Sequence, residues 1–169
     1  MSVAIEPEPA PLPRAAGLAL AALAPAAIGG ILASHFEAIP PVAVTPAIVL
    51  GVIAATSPAL YIALAATGEA PRVPAVARAI AVALAAFGIA LCGFVLPATF
   101  LALTSITDAT PIAMATIALG GAALLGMRRL SRELALSSLS AWLVFAVWSI
   151  ATLGIAGRLW WDLTRELLP

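Results

Sequence analysis

The chain contains no lysine, one histidine and one cysteine, and only 9 % of its residues are charged. Each shortage excludes something. Charged residues make up about 25 % of a soluble domain, so this chain cannot cover a water-facing surface. A lone Cys92, inside an apolar run, cannot form an intramolecular disulfide and reads as a small packing residue. A lone His35 leaves paired-histidine haem ligation and two-histidine metalloprotease chemistry without ligands. The net charge is zero, so there is no basic surface for nucleic acid. No Arg, Asp, Glu or His falls near the middle of a long apolar run. Proton relays and intramembrane aspartyl proteolysis both need such groups at membrane depth. Gly29-Gly30 and Gly120-Gly121 lie in apolar runs with no lysine and no adjoining strand, unlike a nucleotide-binding loop. No catalytic residue, metal ligand or cofactor is therefore expected.

What the chain does have is hydrocarbon. It is 63 % hydrophobic with a mean hydropathy of +1.14. The apolar residues fall in blocks of about 20, the length that spans a bilayer as a helix. The alternating runs of about 10 residues that mark a membrane β-barrel are missing. The reading is an all-α, polytopic transmembrane bundle of five spans with short loops and an amphipathic C-terminal end. Residues 1–13 form a Pro-rich tail, and 14–169 a single five-helix transmembrane domain.

The tail, MSVAIEPEPAPLP, carries four prolines and two glutamates, which favour an extended chain over a helix. It lacks the basic start of a signal peptide. The spans are expected at about Ala15–Ser34, Val42 or Pro46 to Ala66, Ala75 or Ala79 to Leu103, Pro111–Met127 and Leu136–Gly157. Thr45-Pro46 and Thr110-Pro111 resemble helix starts, with threonine as cap and proline in the first turn. After the last span, Leu159, Leu163 and Leu167 recur every four residues opposite Arg158, Asp162, Arg165 and Glu166, as in an interfacial helix. Trp160 and Trp161 suit the aromatic belt.

Arginine sets the threading. The tail and the second and fourth connections hold Arg14, Arg72, Arg78, Arg128, Arg129 and Arg132; the first and third hold His35, Glu37 and Asp108 and no arginine. The positive-inside rule then places the N-terminus in the cytoplasm. Five spans place the C-terminus outside, taking Arg158 and Arg165 with it against the bias. The absence of lysine beside abundant alanine and arginine points to a bacterial chain from a GC-rich genome, hence to the inner membrane. Within the arginine stretch, Arg129 and Glu133 are spaced to pair at i, i+4.

Two groups of residues are candidate contacts. Arg72, Arg78, Arg128, Arg129 and Arg132 could meet lipid phosphate or an acidic partner. Ser57, Tyr61 and Thr99 could form a polar site where proline breaks a span. Ala- and Gly-rich spans suit close helix packing, and so small a bundle is expected to leave little interior for a solute cavity. The expected role is a non-catalytic accessory or structural subunit of a larger membrane complex. Its partners would be membrane lipid and other membrane subunits or further copies of itself, and not nucleic acid. The alternative is a small oligomeric transporter or channel.

If arginine holds the fourth connection inside, replacing Arg128, Arg129 and Arg132 together by serine should give mixed orientation of the last two spans. Reporter fusions in the connection between them would read this. A reporter placed outside in the unaltered protein would overturn the threading.

Overall fold

A computed structural model of the chain describes residues 14–37, 40–68, 71–105, 107 and 109–167. The Pro-rich tail and Asp108 lie outside the described residues. Among the described residues five helices follow one another: α1 (Arg14–Phe36), α2 (Pro40–Ala66), α3 (Val73–Thr104), α4 (Ala109–Leu134) and α5 (Leu139–Arg165). All five are long and apolar enough to cross a membrane. The protein is an all-α, multi-pass membrane bundle. Helices suit that setting because each backbone group is bonded within its own segment.

Packing follows the small residues. α3 is central, lying against α1 and α4, while α2 packs on α1 and α5 packs on α2. Where α1 meets α3, a Cβ placed on Gly88 would stand 2.7 Å from the backbone of Leu20 and Ala21. Where α1 meets α2, a Cβ on Gly29 would overlap the Pro41 carbonyl. Where α3 meets α4, a Cβ on Gly126 would press on Phe87 at 3.2 Å and the Ala83 carbonyl at 3.3 Å. These glycines let the backbones touch, the arrangement that gains most from dispersion in a membrane.

Two apolar clusters result. Leu60 and Leu64 of α2, Val76 and Ala79 of α3, Leu130 and Leu134 of α4, and Phe145 and Trp148 of α5 form one. Ile28 and Leu32 of α1, Phe87 and Leu91 of α3, and Ala115, Ala118 and Ala122 of α4 form the other. The first joins four helices at the arginine-bearing end. The second is built on α1, α3 and α4, with Val49 of α2 and Trp160 of α5 packed against it. Consecutive helices α4 and α5 barely touch.

Several boundaries differ from the sequence expectation. α2 starts at Pro40, close to the earlier of the two expected starts, Val42, and well before Thr45-Pro46. Pro40 and Pro41 occupy the first turn, where a missing N–H costs nothing. Thr45 is buried, and its hydroxyl donates to the Pro41 carbonyl at 2.8 Å. The arginine stretch is not a loop but the last turns of α4. Arg, Leu and Glu are good helix formers, and Arg129 pairs with Glu133 at 2.6 Å as the spacing implies. The loop shrinks to residues 135–138. Ala135 takes a left-handed φ of 48°, and the Ser138 hydroxyl caps α5 by accepting from the Ala141 N–H at 3.1 Å. The amphipathic C-terminal end continues α5 without a break to Arg165, where Asp162 pairs with Arg158 at 3.1 Å and Arg165 at 3.6 Å. Cys92 is not a packing residue; it is exposed on α3.

Replacing Gly88 by leucine should cost about 1–3 kcal/mol, because backbone cannot yield as a side chain can. Gly93, whose Cβ position is open, should tolerate leucine within about 0.5 kcal/mol. Equilibrium unfolding in mixed detergent micelles would compare them, and equal costs would contradict the close α1–α3 crossing.

Candidate functional site

A partly open cavity of about 220 Å³ lies between α2, α3, α4 and α5. The expectation of little interior space is thus corrected. Space remains because glycine contacts draw α1, α3 and α4 together while α5 has none: the Cβ positions of Gly154 and Gly157 are open. Bulky side chains hold α5 in place instead.

Two tryptophans of α5 line the cavity at different depths. The Trp148 indole N–H donates to the Thr56 carbonyl of α2 at 2.8 Å. One turn on, the buried Thr152 hydroxyl donates to the Thr56 hydroxyl at 3.3 Å, which itself donates to the Val52 carbonyl at 2.9 Å. Farther along, the Trp160 indole N–H reaches across to the Thr116 hydroxyl of α4 at 2.8 Å. Thr116 in turn donates to the Ile112 carbonyl at 2.8 Å. The wall's hydroxyl and indole protons are therefore bonded within the wall. The surface facing the space is mainly hydrocarbon, including Val52, Ile80, Phe87, Leu119 and Met127. Such a site offers dispersion contact to an apolar ligand. No ionisable side chain is among the residues lining it.

The residues singled out from sequence sit elsewhere. None of Ser57, Tyr61 and Thr99 lines this cavity. The Ser57 hydroxyl donates to Ile53 of its own helix, and Thr99 donates to Val95 at 2.8 Å. Tyr61 packs against the cluster around Leu60 and Leu64. Arg72 precedes α3 and Arg78 lies in its first turns, while Arg128, Arg129 and Arg132 close α4; all five are exposed. The antiparallel pairing of α3 with α4, fixed by the contacts of Gly126 with Phe87 and Gly121 with Phe94, brings the five to one end of the bundle. Of the two tryptophans that suit an interfacial belt, Trp161 is 60 % exposed, whereas Trp160 lines the cavity. A tryptophan on one helix at the level of glycines on another was the available signal, and it requires knowing that α4 and α5 are neighbours. No protein-family model, curated protein or solved structure matches the chain.

Trp148→Phe keeps an aromatic ring and removes one of the two hydrogen bonds from α5 to Thr56 of α2. The expected loss is about 0.6–1.7 kcal/mol, read as a lower unfolding midpoint in micelles. Trp142→Phe, at a residue 46 % exposed, should change little. Equal effects would deny the bond its role in holding α5.

Proposed function

We propose that this protein is a non-catalytic accessory or structural subunit of a larger membrane complex. In this reading it sits in a bacterial inner membrane with its N-terminus in the cytoplasm and its C-terminus outside. The observation that carries the docking role is the outward face of α2. Ala43, Ala47, Gly51 and Ala55 recur there at four-residue spacing, all exposed. Ile155 and Leu159 of α5 border the same strip, making a shallow groove. A Cβ on Gly51 would meet nothing. Only 17 % of the α2 span is buried within the chain, the smallest share of the five.

Small residues at this spacing let a second transmembrane helix approach closely and pack by dispersion. The occupant of the groove is an apolar membrane helix, from another subunit or a second copy. The clustered arginines support the orientation, because their end of the bundle would face the cytoplasm. There they also meet anionic headgroups. The transporter alternative draws less support: the Ser57 and Thr99 hydroxyls are spent within their own helices, and Tyr61 is half-buried against the Leu60–Leu64 cluster.

Gentle extraction followed by native mass measurement tests the reading. The unaltered protein should run above its own 17.0 kDa with a second chain attached. Gly51→Leu should release it as a single chain with its unfolding midpoint unchanged. A lone chain recovered from the unaltered protein in native lipid discs would overturn the proposal.

A further inference from the structure

The internal cavity has a shape, a wall chemistry and a way in that together describe a ligand. Thr116 and Leu130 both line it and stand about 21 Å apart along α4 by helix rise. That exceeds the depth of one bilayer leaflet, about 15 Å. The space is therefore long and runs with the helices. Its wall is hydrocarbon with the polar protons already engaged, so it has nothing to offer a polar solute.

The way in lies between α4 and α5. Cross-helix bonds set the register of this antiparallel pair: Trp160 meets Thr116 at 2.8 Å, and the Ser149 hydroxyl approaches the Met127 sulfur at 3.8 Å. Between those levels, one turn in from the Trp160–Thr116 bond, come Gly157 on α5 and Gly120 on α4. Both line the cavity, both are exposed on the outer surface of the bundle, and a Cβ on either would meet nothing. α4 and α5 barely meet, and at this level neither helix carries a side chain that could close the seam between them. This window opens toward the bilayer, where the solvent is itself hydrocarbon.

We infer that the cavity binds one linear hydrocarbon chain, which passes from the bilayer through the Gly120–Gly157 window, with the Trp160–Thr116 hydrogen bond as the latch beside it. The chain belongs either to a phospholipid whose headgroup stays at the surface or to a free isoprenoid. Both present the same flexible hydrocarbon, and nothing in the wall selects a headgroup. The site shares only Ile48 and Val52 with the α2 groove, lies on the other side of α2 and α5, and does not depend on a partner occupying the groove.

The test uses the full chain with Trp142 and Trp161 changed to phenylalanine, which leaves only Trp148 and Trp160, both on the cavity wall. It is reconstituted into vesicles of phosphatidylcholine with or without bromine at mid-chain, a contact quencher of indole. Trp148 is only 8 % exposed, so bilayer lipid outside the bundle reaches it poorly. Occupation by a lipid chain should quench its emission. Leucine at both Gly120 and Gly157 should remove that quenching by closing the window. Ala123→Leu, on the wall between the two bonded levels, should remove it by filling the space, and serves if the double variant fails to fold. Trp160→Phe should keep equilibrium quenching and speed its onset when brominated lipid is added. Adding farnesol to the vesicles separates the sources: relief of quenching assigns the site to isoprenoids, and persistence assigns it to phospholipid chains. Absence of quenching in the starting protein, or quenching untouched by either wall variant, would overturn the inference.

Discussion

The structure depends on backbone-to-backbone contact at three glycines. In water, helices are driven together by apolar burial; in a bilayer the surroundings are equally apolar, and association rests on dispersion across close surfaces. Gly88 lets α3 touch α1, Gly126 lets α4 touch α3, and Gly29 admits the Pro41 carbonyl of α2. These crossings assemble α1, α3 and α4 into one layer and hang α2 from its edge. α5 brings no comparable contact. Its attachment rests on the aromatic side chains of Phe145 and Trp148, the Thr152 hydroxyl and, farther along, Trp160.

That difference explains why the interior is not filled. α5 lies close against α2 but barely meets α4, and the space lies on that open side, bridged by Trp160 and Thr116. A sequence of this composition could close the gap cheaply, since one larger residue at Gly120, Ala123 or Gly157 would occupy it. The chain instead keeps small residues on both sides of the gap and a hydrogen-bonded tryptophan at its edge.

The fold class was legible in the sequence because membrane depth imposes a length. Five apolar blocks gave five helices, and Arg129 pairs with Glu133 as their spacing requires. Boundaries were less legible where proline and arginine were read as punctuation. Thr45-Pro46 looks like a helix start, yet Pro40-Pro41 is an equally good one and adds a turn that packs on Gly29. Arg128 to Arg132 looks like a loop in a hydropathy profile, yet long arginine side chains can leave the helix end for the headgroups while the backbone stays helical. The cavity was not legible at all. It depends on Trp160 meeting Thr116 across two helices, and a periodicity confined to one helix carries no information about its neighbour. Ser57, Tyr61 and Thr99 attracted attention as polar residues near prolines. The hydroxyls of Ser57 and Thr99 serve carbonyls of their own helices, the local role that serine and threonine often take in membrane spans.

The outer groove and the inner cavity are two sides of one pair of helices. Ile48 and Val52 of α2 contribute to both, and α5 supplies Trp148 and Trp160 to the inside and Ile155 and Leu159 to the outside. The pair is joined by the Trp148–Thr56 and Thr152–Thr56 bonds at one level, and farther along α5 is held to α4 by the Trp160–Thr116 bond. α5 is therefore fixed at two levels to two different neighbours, with the groove on one side of it and the cavity on the other.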